Sequence, residues 1–309
     1  MTVLRIGTRA SSLAHAQSTL VATALERALG VDVELVDVRS EGDRSSRPLT
    51  EIGGQGVFVG AVREALVDGS VDVVVHSLKD LPTMRDDRVT LAAVPQRGDP
   101  RDALVARDGL TLAGLPAGSR IGTGSPRREA QLHALGLGLD VVPIRGNVDT
   151  RVRQVLAGEL DGVVVARAGL VRLGREAAVT ETIDPIQMLP APGQGALAVE
   201  VSATAGPLAD DVSVALDHAD SRTTTCAERA LLRALGAGCS APVGALAEVA
   251  EGDNGLEVWL RGVVVAPDGS HLVRLSASGP VSDPDGVGLR LAQEMLAEGA
   301  AGLMQERAS

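Results

Sequence analysis

Four arginines in the middle of the chain follow predicted strand ends, where they could bind an anion. Ser125–Arg128 comes directly after one apolar segment, Arg145–Asn147 comes after the next, and Arg151 lies one turn further on. Serine and asparagine favour the position before a helix, and proline favours its first turn. Arginine is unfavourable at the positive end of a helix unless an anion is bound there. Phosphate and carboxylate both suit such pairs, and two solvated arginines are the alternative interpretation.

A second candidate site lies at the end of a run of valines, in the segment His76–Asp80. The strands of open α/β sheets end at the ligand crevice, so Asp80 is a candidate acid, base or cation-stabilising carboxylate. Lys79 is the only lysine in the chain, and its compact ammonium differs from the guanidinium used elsewhere. The alternative is a structural Lys–Asp pair at a strand end, preceded by a structural His76.

The two cysteines have different surroundings. Cys226 has helical spacing to Ala230 and Leu231, which favours a buried helix position. Cys239 lies in a glycine-rich loop and is a candidate nucleophile or attachment point. Two cysteines do not make a disulfide framework. No cluster of residues has the spacing of metal ligands, so we expect no metal.

Composition and charge restrict the partners of this 309-residue chain. Aromatic residues make up 1%, which argues against a stacking platform for single strands, and the net charge of -11 argues against nucleic acid or an anionic membrane. Residues 119–175 hold nine arginines and five acids, a local +4 that leaves -15 for the rest (-11 - 4). No apolar run reaches the ~20 residues of a membrane span, and no signal-peptide pattern opens the chain. We therefore expect a cytoplasmic protein.

Alternation of apolar strands and amphipathic helices predicts an α/β fold whose elements position these sites. The valine run at 71–76 is typical of a parallel strand covered on both faces. A glycine-rich loop is predicted at 41–56. The remaining predicted strands lie at 3–8, 31–38, 120–123, 140–144, 162–166 and 196–201, and the predicted helices at 12–29, 57–67, from 125, from 147, near 169–174, up to 218 and at 220–235.

The order of these elements predicts three domains. Residues 1–97 and 196–217 would form a first α/β lobe and residues 98–195 a second, inserted lobe. The two crossings between lobes would make a hinged cleft. Residues 218–309 would form a small α+β domain, with three alternating strands near 242–250, 256–266 and 270–278 and a final helix near 285–305.

Taken together, the motifs of this chain resemble the hydroxymethylbilane synthase family, also called porphobilinogen deaminase. They occur in the family's order over nearly the whole chain. The carrying segments are Arg5–Ser11, His76–Pro82, Arg97–Ala103, Gly122–Arg128, Arg145–Arg151, Pro192–Ala196 and Gly238–Cys239.

The resemblance implies two lobes like those of periplasmic binding proteins, a C-terminal α+β domain, and a dipyrromethane cofactor thioether-linked to Cys239. It implies an enzyme that joins four porphobilinogen molecules head to tail with loss of ammonia, then releases hydroxymethylbilane by hydrolysis. The partners would be porphobilinogen and the growing pyrrole chain, and the protein would be a monomer.

The family's functional positions are carried over onto matching residues only. Asp80 and Lys79 would be catalytic. The positions that contact the cofactor would be Ser77, Lys79, Asp80, Thr123, Ser125, Arg127, Arg128, Arg145 and Gly146. The positions that contact the substrate would be Arg9, Ser11, Phe58, Arg145, Arg151, Arg172 and Gln194, with Phe58 stacking on a ring.

One departure from the family lies in the glycine-rich loop, where Glu51 and Gln55 replace lysines found in many members. We expect a lid over the cleft to depend more on Arg44 and Arg47. Two rival functions remain: a two-lobed anion-binding module without catalysis, and a Schiff-base enzyme that uses Lys79. Neither accounts for Cys239.

Overall fold

The computed structural model describes residues 3–38, 59–238, 240–252 and 255–305. Phe58, Cys239 and the loop at 41–56, with its residues Arg44, Arg47, Glu51 and Gln55, lie outside the described residues. The strands are β1 (Val3–Thr8), β2 (Asp32–Asp37), β3 (Val73–Ser77), β4 (Val89–Ala93), β5 (Asp102–Ala106), β6 (Arg120–Thr123), β7 (Asp140–Pro143), β8 (Gly162–Ala166), β9 (Glu181–Thr182), β10 (Leu197–Ser202), β11 (Val243–Gly252), β12 (Gly255–Val265) and β13 (Leu272–Pro280).

The helices largely match the predicted ones. Ser11 begins the first helix, where its hydroxyl accepts a hydrogen bond from the Ala14 amide at 3.2 Å. The helices are α1 (Ser12–Leu29), α2 (Gly60–Val67), α3 (Pro126–Ala134), α4 (Val148–Leu156), α5 (Arg167–Arg172), α6 (Pro207–Leu216), α7 (Ala219–Ala234), α8 (Pro284–Ala297) and α9 (Ala300–Gln305).

Three sheets organise these elements, and the predicted α/β class with a C-terminal three-stranded antiparallel sheet is confirmed. The first sheet has the order β2-β1-β3-β10-β4, the second β7-β6-β8-β5-β9 and the third β11-β12-β13. The described residues divide into two compact units. One is Met1–Gly98 with Ala196–Arg222, and the other is Asp99–Gly195 with Thr223–Ser309.

The valine strand β3 is buried as predicted, and its predicted parallel pairing is confirmed on one side only. It pairs in parallel with β1 on one side and antiparallel with β10 on the other. Burial explains the continuous valines, since both faces of β3 are covered whichever way its neighbours run. Local sequence does not show the direction from which a distant strand returns.

Two further features differ from the predictions. The final helix is two helices, α8 and α9, because Gly299 between them has a φ of 90°, which an L-residue rarely adopts. Strands β4, β5 and β9 were not predicted, although every residue of β5 is buried.

Among the described helices, none is long and apolar enough to cross a membrane.

Candidate functional site

A pocket in the first unit lies where β3 ends and α1 begins, and it brings together several of the predicted residues. Asp80 ends a short 3-10 helix, Leu78–Asp80, that follows β3, and its side chain is exposed. Lys79 is half-buried beside it. The side chains around the pocket come from Arg9, Ser11, Leu13, Ala14, Gln17, Val59, Val75, His76, Ser77 and Asp80.

Gln17 is a functional candidate that the sequence analysis missed. It is buried on α1, and its Nε2 donates to the Ser77 hydroxyl at 2.9 Å. The bond joins the first turns of α1 to the end of β3, the two elements that carry Ser11 and Asp80 around the pocket. A glutamine among apolar helix positions was the available signal, because a buried amide needs hydrogen-bond partners.

A buried ion cluster lies behind the pocket. Arg63 on α2 donates to Glu200 on β10 through Nε at 2.8 Å and Nη2 at 2.6 Å. His76 Nε2 lies 3.3 Å from the same carboxylate. Burial alone would raise the pKa of Glu200, but the hydrogen bonds from Arg63 and the nearby His76 ring outweigh it and lower that pKa to about 2. His76 therefore has the structural environment that the sequence analysis gave as its alternative.

The second unit has its own buried cluster, centred on Asp102 at the start of β5. Arg128 donates to Asp102 Oδ1 through Nε at 3.0 Å and Nη2 at 2.8 Å. Arg127 Nη2 lies 2.8 Å from Oδ2, and Gln194 Nε2 donates to Oδ1 at 2.9 Å. Asp102 is completely buried. The carboxylate is thus shared by three side chains, and all three are predicted site residues.

Two arginines on one carboxylate leave this cluster with an excess positive charge. Burial opposes ionisation of Asp102, but Arg127 and Arg128 overcome it and hold the pKa of Asp102 well below its usual range. Burial also lowers the pKa of Arg127, and Asp102 only partly compensates. Arg127 Nη1 donates to the Leu189 carbonyl at 2.6 Å. The two arginines in the first turn of α3 therefore contact an internal anion, Asp102 of β5, which was not predicted from the sequence.

Three further arginines of this unit have no acidic partner. Among the described residues, no carboxylate lies within ion-pair distance of Arg145, Arg151 or Arg172. Burial, together with repulsion from Arg128 and Arg145, lowers the pKa of Arg151 to about 10. Burial also lowers the pKa of Arg172 to about 10. Arg151 and Arg172 are half-buried, and a guanidinium in such surroundings without a counter-ion favours the binding of an anion.

Backbone geometry explains the position of Arg151. Asn147 accepts from the Thr150 amide at 2.9 Å and so begins α4 as predicted. Arg151 Nε donates to the Gly146 carbonyl at 2.9 Å, and Gly146 has a φ of 103°. A side chain on Gly124 would meet the Ile144 carbonyl at 2.7 Å, so only glycine fits beside Arg151 here.

At the other strand end, Ser125 precedes α3, but its hydroxyl does not cap the helix. The Ser125 amide instead donates to the Thr123 hydroxyl at 3.2 Å. Thr123 is buried, and its side chain shapes the turn between β6 and α3. Proline at the first helical position is confirmed.

A tight turn at 191–195 connects the Asp102 cluster to Arg172. Gln194 Nε2 donates to the Pro100 carbonyl at 2.7 Å, in addition to its bond with Asp102. Arg172 Nη2 donates to the Gly195 carbonyl at 2.6 Å. Glu228 on α7, completely buried, accepts from the Gly193 amide at 2.6 Å. Gln194, a predicted substrate contact, is itself buried inside the unit.

Each unit thus brings its own predicted residues together. Arg9, Ser11, Ser77 and Asp80 meet in the first unit. Arg128, Arg145 and Arg151 meet in the second, where Arg128 and Arg145 act on the pKa of Arg151. Phe58 and Cys239 lie outside the described residues. Cys226 is half-buried on α7, where its Sγ lies 2.9 Å from Asp285, and burial together with that carboxylate raises its pKa to about 12.

Comparison with known proteins shows the family that this chain resembles. Residues 4–209 match the family model described as porphobilinogen deaminase, dipyromethane cofactor binding domain, and residues 223–297 match the porphobilinogen deaminase C-terminal domain. The chain is 55% identical over 307 residues to porphobilinogen deaminase of Mycobacterium tuberculosis, covering 98% of both chains. It is 54% identical over 314 residues to porphobilinogen deaminase 1 of Streptomyces coelicolor, covering 99% of this chain and 98% of that one.

Solved structures of binding proteins also match, at lower similarity. A periplasmic substrate-binding protein of an ABC transporter from Coxiella burnetii has a TM-score of 0.44 and 16% identity over 69% of this chain and 91% of its own. The methionine binding protein MetQ has a TM-score of 0.42 and 13% identity over 69% of this chain and 89% of its own. This likeness is weak, and nothing further follows from it.

Proposed function

Because this chain belongs to the porphobilinogen deaminase family, we propose that Asp80 performs the chemistry of the family's reaction while a group of arginines binds the carboxylates of its ligands. The enzyme joins four porphobilinogen molecules head to tail with loss of ammonia, then releases hydroxymethylbilane by hydrolysis. The dipyrromethane cofactor of the family supplies the pyrrole end to which the first substrate is joined.

The arginines of the second unit fit such a cofactor and substrate. Each pyrrole carries an acetate and a propionate, so two rings bring four carboxylates. The proposal is supported most by the surroundings of Arg151 and Arg172. Burial lowers the pKa of both, and no described carboxylate pairs with them. A planar guanidinium matches a carboxylate through two parallel hydrogen bonds. Arg145 adds a third positive charge, and the Gly146 carbonyl accepts a hydrogen bond from Arg151 Nε.

Asp80 is suited to stabilise positive charge on the substrate. Its carboxylate is exposed in the pocket of the first unit, where it can accept hydrogen bonds from pyrrole N–H groups. As ammonia leaves, the substrate becomes cationic, and a fixed carboxylate lowers the energy of that state. Asp80 is thereby the catalytic residue that the pocket supports best.

The neighbours of Asp80 would bind and orient the ligand. Arg9 supplies a guanidinium at the same pocket, and Ser11 and Ser77 supply hydroxyl groups. Lys79 is half-buried next to Asp80 and adds a positive charge at the strand end. On the other unit, Thr123, Ser125 and Arg128 would contact the cofactor near the start of α3, with Arg127 and Gln194 behind them.

Cys239 is the proposed attachment point of the cofactor through a thioether. The other cysteine, Cys226, is half-buried on α7 with its pKa raised to about 12, so little of it is thiolate at neutral pH. That contrast favours Cys239. Phe58 would stack on a pyrrole ring.

We also propose that the protein acts as a cytoplasmic monomer. Its domains would be a first lobe at 1–97 and 196–217, a second lobe at 98–195 and a C-terminal domain at 218–309. These assignments follow the family resemblance. Size-exclusion chromatography with light scattering would test the monomer, since a dimer would give twice the mass of 31.6 kDa.

Intact mass of the purified protein tests the attachment. We expect the wild-type chain and Cys226→Ser to carry the added mass of two linked pyrroles, and Cys239→Ser to lack it. Peptide mapping should place the addition on the peptide that contains Cys239. An unmodified and fully active wild-type protein would exclude the proposed cofactor role, and a modified Cys239→Ser protein would exclude this cysteine.

A further inference from the structure

We propose that Asp102 is a positioning residue that serves as the permanent internal counter-ion of the arginine site and holds Arg127 and Arg128 in place before any ligand carboxylate is bound. The inference rests on the proposed function, in which the arginines of this unit receive the carboxylates of the cofactor and substrate. It adds a residue that would act only through these arginines.

The geometry shows how Asp102 orients its partners. Its Oδ1 accepts from both Nε and Nη2 of Arg128, so one whole edge of that guanidinium is occupied. Among the described residues, Nη1 of Arg128 has no hydrogen-bond partner. Arg127 is bound on two sides, by Asp102 and by the Leu189 carbonyl. Arg128 is therefore held with one nitrogen free for a ligand, while Arg127 is not free to turn.

The charges explain why a counter-ion is needed. Two buried guanidiniums on one carboxylate, with Arg151 near Arg128, would strongly disfavour the folded state without an anion among them. An unloaded chain has no ligand carboxylates to provide that anion. Asp102 cancels one of the two charges and leaves a net +1 on the pair. Ligand carboxylates then bind to an arrangement that already exists, which reduces the cost of ordering it.

The free and loaded forms of the wild-type protein give a first test by amide hydrogen exchange. The unloaded chain can be made in cells deprived of porphobilinogen, and intact mass reports loading. The Leu189 amide donates to Gln131 Oε1 at 2.8 Å, and the Leu189 carbonyl accepts from Arg127. We expect equal protection of this amide in both forms. Protection that appears only on loading would overturn the proposal, because the arginines would then be placed by the ligand.

Asp102→Asn gives the second test, with the thermal midpoint as the readout. If Asp102 is the counter-ion of the site, the variant loses most stability in the unloaded form, because cofactor carboxylates compensate for it in the loaded form. We expect loading to raise the midpoint by at least about 3 °C more in Asp102→Asn than in the wild type. Equal increases would show a merely structural role and overturn the proposal.

Asp72→Asn is the matched control, because Asp72 also binds one edge of an arginine, Arg5, through Nε at 3.1 Å and Nη2 at 2.7 Å, at a distance in sequence from the arginine site. Asp72→Asn should lower the thermal midpoints of the unloaded and the loaded protein by the same amount. If Asp102→Asn does not fold unloaded but folds when loaded, the proposal is supported. If it folds in neither form, the comparison is made in an Arg127→Met background, where one buried positive charge fewer remains.

The two proposals fail in different ways. If the arginines do not receive the cofactor, loading will leave the wild-type midpoint unchanged, or intact mass will show no cofactor at all. If only the role of Asp102 is wrong, the wild type will gain stability on loading and Asp102→Asn will gain the same amount.

Discussion

The two units of this molecule contain buried carboxylate–arginine clusters of similar construction and different charge balance. In the first unit, Glu200 binds one arginine, Arg63, with His76 beside it. In the second, Asp102 binds two arginines and lies close to others that have no acidic partner. Both carboxylates are on interior strands and almost fully buried.

The difference separates a structural cluster from one that belongs to a binding site. A balanced pair stabilises packing between α2 and β10 and needs nothing further. A cluster with surplus positive charge is neutralised only when an anion binds to it. Counting buried charges therefore distinguishes the two roles better than the presence of arginine does.

The largest expected effect concerns the balanced cluster, that is, Arg63 and Glu200 of the first unit with His76 beside them. Glu200→Gln removes the two hydrogen bonds that Arg63 donates and leaves this buried arginine with only Asp86, 4.0 Å away, as a counter-ion. We therefore expect the free energy of unfolding to fall by about 3–5 kcal/mol. Urea denaturation of the wild type and the variant would measure it. Glu64→Gln, which removes an exposed acid bound to Arg88 at 2.9 Å, should change stability by less than about 1 kcal/mol. If Glu200→Gln were as stable as that control, the cluster would not be structural.

A loss of turnover is the next expected effect. Asp80→Asn should lower kcat by about 10²–10³ because the developing positive charge loses its fixed carboxylate. The thermal midpoint should be unchanged, since Asp80 is exposed. Asp87→Asn, an exposed acid on the same unit, serves as the control and should retain full turnover. Wild-type rates in Asp80→Asn would remove Asp80 from the mechanism.

Acid should weaken the balanced cluster in a defined range of pH. The pKa of Glu200 is about 2 when folded against an ordinary 4.5, so its contribution is present above about pH 4.5 and is lost as pH falls toward 2. Linkage gives a loss of about 3 kcal/mol over that range. Unfolding measured at steps of pH should show a steeper fall in the wild type than in Glu200→Gln. Parallel curves would contradict the depressed pKa.

The smallest expected effect concerns Arg151, an arginine of the second unit that has no acidic partner among the described residues. Arg151→Gln should raise KM for porphobilinogen about tenfold or more, because a charge-assisted hydrogen bond is lost. Stability should be unchanged or higher, since a half-buried and uncompensated charge is removed. Arg175→Gln is the control, because Arg175 is exposed and binds Asp149 at 3.1 Å. A marked loss of stability in Arg151→Gln would mean that the charge of this arginine is compensated within the protein.

Much of the fold could be predicted because it is encoded in short-range patterns. The valines of β3, the Asn147 cap of α4 and the proline that begins α3 are local signals, and each is confirmed. The break at Gly299 between α8 and α9 was not predicted, because one glycine within an apolar period does not by itself end a helix.

The candidate site was predicted in its residues but not in its pairing. Arg127 and Arg128 were interpreted as helix-end arginines that wait for an anion, and the anion they contact is Asp102, a distant residue in sequence. Strand β5 was not recognised, so its first residue was not placed beside α3. Pairing across a sheet depends on tertiary order, which neither spacing nor composition reveals.

Glu228 has a consequence for the order of folding during synthesis. Its carboxylate accepts from the Gly193 amide at 2.6 Å and from the Ala247 amide at 2.9 Å, and the Ala245 amide donates to the Pro190 carbonyl at 2.8 Å. The ribosome makes the turn at 191–195 well before α7 and β11 emerge. The turn that holds Gln194 and Arg172 therefore receives its last hydrogen bonds only when most of the chain has been translated, and we expect nascent chains that end before β11 to lack a formed arginine site.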